Sequence, residues 1–233
     1  MKKFLVLTAI TNGKDKLIDP PMVFENCDYI AYVDKKENDV KVWEQRDVLK
    51  FSTIDNYKNR RDAKTYKILS SLIFSQYEYI IWEDGNHQLK KDPQLIIDEY
   101  GDGVDIFLFK HPDRKCLYQE MTACAQWNLD IHENIQNQFT LYKSLGMPDG
   151  YGLYEMCTFI VKTTHAVKEL QLMWWEQITK FSSRDQISFP FCLWRMEKNI
   201  KIKKLRGYAN KFTLQGEQKD NEYFVDQGRH LKY

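Results

Sequence analysis

The feature that most constrains this chain is a change of period followed by an abrupt stop. Residues 60–74 carry Ala63, Tyr66, Leu69 and Ile73 at spacings of three and four, the pattern of one buried helix face. The next apolar stretch, Tyr77-Glu-Tyr-Ile-Ile-Trp82, is dense in β-branched and aromatic residues. It breaks at Glu83-Asp84-Gly85-Asn86, a turn-forming run. Two further apolar runs, Phe4–Ile10 and residues 29–33, precede the helix, and residues 40–48 around Trp43 are strand-like. Strand, helix, strand in this order is a βαβ unit, which calls for a parallel sheet covered by helices. The expectation is one α/β domain of Rossmann-like kind, its central sheet mixed but mainly parallel.

The remainder of the chain fits that plan. Pro93–Tyr100 reads as a helix capped by Asp92, residues 104–110 as a strand, and residues 116–127 and 133–145 as helices. Residues 153–162 form a strand with its core at 156–161. A long helix follows, capped by Thr163 or Thr164, with Val167, Leu170, Trp174, Ile178 and Phe181 as its stripe. Residues 185–196 read as a helix that Pro190 kinks or breaks, and residues 200–205 as a last strand. The polar remainder, residues 206–233, has no assigned structure. No repeat, low-complexity segment or linker divides the 233 residues, so a single domain is expected.

Composition removes several function classes. Thirty-four Lys and Arg against thirty-three Asp and Glu leave no basic field for nucleic acid, so any anion must be held by a local cluster. Cys27, Cys116, Cys124, Cys157 and Cys192 form no CxxC pair and read as buried or free thiols in a reducing compartment. The seven apolar residues after Lys2-Lys3 are too few for a signal peptide, and no run approaches the ~18–20 apolar residues of a membrane span. A soluble, cytoplasmic protein is the expectation. The phosphate-binding GxxxxGK[ST] loop, the GxGxxG fingerprint and the GxSxG elbow are all missing.

Several residues carry candidate chemistry, each beside a plainer explanation. Asp84 and Asn86, just past a buried strand, offer two oxygen donors that suit a hard divalent cation, or simply make a good turn. Arg60, Lys64 and Lys67, with Arg61 beside them, form a basic helix face that is either solvated or bound to an anion. Asp185 and Gln186 in Ser183-Arg184-Asp185-Gln186 either start a helix or face a sugar, where a carboxylate can bind hydroxyls, accept a proton or stabilise positive charge. Glu155 and Glu120 are further candidate carboxylates. His230, three residues from the end, is either a tail histidine or a metal ligand brought back over Asp84.

Taken in order, these stretches resemble a known family. The set is Thr8-Ala-Ile-Thr-Asn-Gly13 with Asp15, Asp28-Tyr29-Ile30 through Asp34, and Arg61-Asp-Ala-Lys64 with Tyr66-Lys67. It continues with Ile81-Trp82-Glu-Asp84-Gly-Asn86, His111-Pro-Asp-Arg114 with Glu120, Gly152-Leu-Tyr-Glu155, Trp174-Trp175 and Arg184-Asp-Gln-Ile-Ser188. Over roughly residues 4–196 this resembles the TOD/MUCI glycosyltransferase-like domain family, whose members are similar to GT-A glycosyltransferases. The resemblance implies a nucleotide-sugar donor, a divalent metal (Mn²⁺ or Mg²⁺), and an acceptor that is a glycan, a protein or a lipid. It implies a nucleotide-sugar half at about residues 1–100, an acceptor and catalytic half at about 101–205, and a tail.

By the same resemblance, Asp84 and Asn86 stand where an Asp-x-Asp motif binds metal, with His230 completing the shell. Lys64 and Arg61 lie near the donor phosphates or sugar, and Thr11, Asn12, Gly13 and Asp34 face the nucleoside. Asp185 and Gln186 face the transferred sugar; Glu155, from its place after the Gly150-Tyr151-Gly152 loop, remains a second candidate catalytic carboxylate. Asn86 departs from the motif and removes one charge, which implies either weak metal binding or metal held mainly by the donor diphosphate. Two other readings stand beside this one. They are a hydrolase of an amide or glycolipid, and a non-catalytic nucleotide- or carbohydrate-binding module.

Overall fold

Alternate residues of β1 (Phe4–Ile10) point to opposite sides of the central sheet, and both sides are dry. Leu5 and Leu7 enter one core while Phe4, Val6 and Ile10 enter another. That is why the run is continuously apolar instead of alternating with polar residues. The computed structural model describes residues 2–50, 58–210 and 221–228.

Parallel to β1 lie β2 (Cys27–Val33) and, beyond it, β3 (Glu44–Asp47). After α1 (Lys58–Ile68) and α2 (Ser70–Ile73), β4 (Tyr79–Glu83) pairs with the other edge of β1, again parallel. The chain then forms β5 (His87–Leu89), α3 (Pro93–Tyr100), β6 (Ile106–Lys110), α4 (Leu117–Gln126) and α5 (His132–Ser144). Next come β7 (Tyr154–Lys162), α6 (His165–Lys180), α7 (Asp185–Arg195), β8 (Ile202–Lys204) and β9 (Phe224–Asp226). The main sheet runs β3-β2-β1-β4-β7-β6-β8. β7 is its reversed strand, antiparallel to both β4 and β6, while β8 is parallel to β6. The sheet is therefore mixed and mainly parallel, as expected.

Helices α1, α2 and α4–α7 cover one face of the sheet; α3 and the small β5–β9 sheet cover the other. Asp92 caps α3 through the Gln94 amide, and Thr164 caps α6 through the Val167 amide. Of the expected α6 stripe, Val167, Leu170, Trp174 and Ile178 are inside, while Phe181, one residue past the end of the helix, is only half-buried. α7 continues through Pro190 without breaking.

Two elements differ from expectation, and both matter to the site. Residues 60–74 are two helices that meet at Leu69, and the offset turns Ile73 outward, 40% exposed. More important, the basic face of α1 is not solvated. Arg61 and Lys67 are buried along with Tyr66 and Ile68, because α1 lies between β1 and α6. The second difference is in the tail, where β9 returns to pair antiparallel with β5, directly after the Asp84-Gly85-Asn86 turn.

Candidate active site

In a parallel sheet the loops after the strands share one edge, and the reversal of β7 brings its start to the same edge. Thr11 and Asn12 after β1, Asp84 after β4 and Glu155 to Cys157 in β7 therefore meet there. With α1 and the start of α7 they line a cleft of about 590 Å³. A second hollow of about 330 Å³, lined by Gly13, Val33 and Asp34, shares Ile10 and Asp15 with the first. Asn12 and Gly13 both have positive φ, the left-handed turn that Asn and Gly tolerate best. The Asn12 amide donates to the Asp34 carboxylate, tying the ends of β1 and β2 together. At Gly85 the backbone comes so close to β1 that a Cβ would lie 2.9 Å from Ile10 and from Asp15. Only glycine lets Asp84 sit this near the end of β1.

Opposite the strand ends, α1 sends two ammonium groups onto one carboxylate. Lys64 Nζ is 2.7 Å from Asp185 Oδ1 and also donates to the Ser183 carbonyl at 2.7 Å. Lys67 Nζ is 2.7 Å from Asp185 Oδ2 and 3.2 Å from Asp84 Oδ1. Trp82 Nε1 donates to that same Asp84 oxygen at 2.8 Å, and the Lys67 ammonium stands over the indole ring. Lys64 and Lys67 are one helical step apart, so they reach the same anion from the same face.

The protonation states follow from this packing. Burial opposes the charged form of Asp185, but the two lysines outweigh it and hold the carboxyl far below its usual range. Burial also opposes ionisation of Asp84, and there the Lys67 charge wins and lowers it. Lys67 is buried too, yet Asp185 and Asp84 raise its pKa, so it stays charged. Lys64 is the group that yields. Burial, against the pull of Asp185 and with the help of Lys67, Arg184 and Arg60, brings it down to about 7.

The surrounding residues hold this cluster in place. Asp130, with a fully buried side chain, accepts from Ser182 Oγ at 2.9 Å, Ser183 N at 2.7 Å and Ser183 Oγ at 2.6 Å, which fixes the loop leading to Asp185. Glu120 is buried, 2.6 Å from Arg114 Nε and 3.8 Å from Arg184, a cleft residue. Glu155 reaches the cleft wall, but the amides of Ala209 (2.6 Å) and Asn210 (3.2 Å) take both of its oxygens. Burial pushes its pKa up to about 7 despite those bonds. Cys157 also lines the cleft, its thiol raised well above the ordinary range by burial and so protonated. All five cysteines are free.

The structure thus brings together Thr11, Asn12, Lys64, Asp84, Glu155, Asp185 and Gln186, and places Gly13 and Asp34 in the adjoining hollow. Gln186 donates its side-chain amide to the Tyr154 carbonyl at 2.9 Å. Two expected site residues are elsewhere. Arg61 points away from the cleft and donates to the carbonyls of Ile178 and Phe181 at the end of α6, a helix-closing role. Asn86 does not join Asp84. Its amide donates to Gly228 O at 2.6 Å and its Oδ1 is 2.9 Å from His87 Nδ1, because the turn sends it toward the returning tail. His230 lies outside the described residues. Lys67, noted as part of the basic face but not as a site residue, is the hub. Lys14, Arg60, Arg184 and Asn210 also line the cleft.

The donor set can now be compared with what a divalent metal needs. Mn²⁺ and Mg²⁺ favour six oxygen or nitrogen ligands. Among the described residues no three His, Cys, Asp or Glu side chains converge as metal ligands. Asp84 Oδ1 already accepts from Trp82 and Lys67. A unit charge about 4 Å from an ammonium is opposed by about 4 kcal/mol at an effective dielectric of about 20, and a dication by twice that. The described residues do not fit a resident divalent ion.

A family model described as "TOD1/MUCI70, glycosyltransferase-like domain" matches residues 3–213. A curated relative described as "Probable hexosyltransferase MUCI70", from Arabidopsis thaliana, is 25% identical over 140 residues, 56% of this chain. The match spans 24% of that relative's length. Among solved structures, mouse xyloside xylosyltransferase 1 in its apo form has a TM-score of 0.43 and 10% identity, covering 88% of this chain and 84% of that one. Core-mannan synthase A of Aspergillus fumigatus, in its Mn/GDP form, has a TM-score of 0.46 and 9% identity, covering 83% and 70%. The apo WbbM bifunctional glycosyltransferase has 0.47 and 8%, covering 88% and 38%. At TM-scores below 0.5 these are distant likenesses.

Proposed function

The chain belongs to the TOD1/MUCI70 glycosyltransferase-like domain family, and on that premise we propose that it transfers a hexosyl group from a nucleoside-diphosphate sugar to an acceptor hydroxyl. The observation that carries the reading is the Lys64–Asp185–Lys67–Asp84 cluster at the carboxyl edge of the sheet. Five cationic side chains, Lys14, Arg60, Lys64, Lys67 and Arg184, line a cleft of a size that holds a small ligand. The neighbouring hollow at Gly13 and Asp34 is assigned to the nucleoside.

In the transfer, the bond between the anomeric carbon and a diphosphate oxygen breaks and the acceptor oxygen bonds to that carbon. The electron pair leaves with the diphosphate, and the hydroxyl proton is lost to water. Negative charge grows on the leaving oxygen, and ammonium groups already fixed in place stabilise it without reorganising. Asp185 is too acidic to take a proton at neutral pH, so its part is to aim both lysines and to face positive charge developing on the sugar. No observation favours the hydrolase alternative. The cleft thiol is protonated.

A thermal-shift panel of nucleoside diphosphates tests the reading. A ligand at 100 times its Kd adds about 2.7 kcal/mol to the native state, roughly 5–10 °C in Tm for a chain of this size. If no nucleoside diphosphate raises Tm, with or without divalent ions, the donor reading is lost.

A pH profile adds a second check. Lys64, lowered to about 7, is charged below that pH and neutral above it; Glu155, raised to about 7, is neutral below and charged above. Both changes remove positive charge from the cleft as pH rises. The Kd for a nucleotide sugar should therefore increase above pH ~7, by up to about tenfold per pH unit while one proton is taken up on binding. A nucleotide sugar is the right probe because a free diphosphate has a terminal ionisation of its own near pH ~6. Isothermal titration calorimetry across that range reads the result, and affinity that is flat or improves with pH contradicts the assignment.

A further inference from the structure

We infer that Lys67 takes the place of a divalent ion at Asp84, so that this chain binds and releases its diphosphate without a metal. The inference rests on the donor reading above. Three observations carry it. First, the ammonium already stands beside Asp84, 3.2 Å from Oδ1, and Trp82 Nε1 donates to the same oxygen at 2.8 Å. Second, Asn86, the partner that an Asp-x-Asp-like site would need, is turned out of the cleft: its NH2 donates to the Gly228 carbonyl, and its Oδ1, the atom that would face a metal, lies 2.9 Å from His87 Nδ1. Third, Lys67 does not stand alone. Lys64 shares Asp185 with it, and Arg184, Arg60 and Lys14 line the same cleft.

The chemistry of the group fits. An ammonium has three N–H donors; Lys67 donates one to Asp84 Oδ1 and is ion-paired at 2.7 Å with Asp185 Oδ2, so donor capacity remains for a phosphate oxygen. Asp84 and Asp185 hold the nitrogen at the cleft wall, so the charge is in position before a ligand arrives. The indole of Trp82 beneath it adds a cation–π contact and limits where the flexible stem can go. In this arrangement Asp84 is a positioning residue that acts through Lys67.

The test is the affinity of the full chain for uridine and guanosine diphosphates, measured by calorimetry in EDTA and again with Mg²⁺ or Mn²⁺. The inference expects the two Kd values to agree within about threefold. Loss of one charge-assisted bond corresponds to roughly 10- to 100-fold in Kd, so Lys67→Met should weaken binding by that much in both buffers. Lys67→Arg, which keeps the charge, should retain most of the affinity. The wild-type comparison needs no variant, so misfolding of Lys67→Met would leave the test intact. Binding that appears only with metal, or that falls more than about tenfold in EDTA, overturns the inference and leaves the donor reading standing. Absence of binding in either buffer removes the donor reading and this inference with it.

Discussion

Replacing Asp185 with alanine is expected to destabilise the fold by about 3–5 kcal/mol, the usual cost of removing one partner from a buried ion pair. Asp185 is 6% exposed and is the shared counter-charge of Lys64 and Lys67. Without it, two ammonium groups stand close together with only Asp84 near one of them. Lys64 would then lose its proton more readily still, since its main stabilising charge is gone. The expected result is a Tm drop of roughly 6–20 °C, partly reversed by a nucleoside diphosphate, whose oxygens can replace the missing carboxylate. Donor turnover should fall by about 10²–10³, the range seen when one preorganised electrostatic group is lost. Denaturation with and without ligand separates this account from a purely structural one. A variant that is destabilised but gains no more from the ligand than wild type would contradict it. Buried ion pairs are often no more stabilising than apolar residues of the same shape. A cluster of four such groups at a cleft wall is therefore better explained by what it binds than by stability.

The second large effect is expected at Asp130, which lies outside the cleft lining. Its side chain accepts from two serine hydroxyls and the Ser183 amide, and its Oδ1 accepts from the Ile131 amide at 2.7 Å. Hydrogen bonds to a charged group contribute about 1.5–3 kcal/mol each, and removing the acceptor leaves buried donors unsatisfied. Asp130→Ala should cost about 3 kcal/mol or more and release the loop of residues 182–184 that delivers Asp185. Hydrogen exchange at Ser183 and Asp185 would report that release directly. If exchange there stays at wild-type rates while Tm falls, the loop is held by something other than Asp130. Asp130→Asn keeps one acceptor oxygen and should fall between the two. Because Asp130 and Asp185 act on the same loop, the double variant should cost less than the sum of the single ones.

Much of the fold was legible in the chain. Continuous apolar runs marked the central strands β1, β2, β4, β6 and β7, because both faces of the sheet are buried there, and helical spacing together with Asp92 and Thr164 marked α3 and α6. The reversal of β7 left no local trace. A strand buried on both faces has the same composition whichever way it runs. β9 was also hidden, since three residues in a polar segment make no periodic signal and their partner β5 lies far back in the sequence.

The site was legible as an inventory and only partly as an arrangement. Arg61 is next to Arg60, but one residue turns the helix by about 100°, so it meets α6 and not the cleft. Asn86 had the right spacing to Asp84 for a shared ligand, yet a contact with residue 228 drew it away. Lys67 carried no mark distinguishing it from a solvated lysine until α1 proved to be enclosed by β1 and α6.

Local chemistry was enough to place the longer strands and helices, the turn at Asp84 and the pool of charged side chains, since each depends on residues within a few positions of one another; the short β5 and β9 and the break between α1 and α2 were not among them. Which of those charges face each other was settled by contacts between residues 17 to 142 positions apart, such as Lys67 with Asp84 and Asn86 with Gly228. Charge pairing acts through distance in space and burial, and neither is encoded in spacing along the chain.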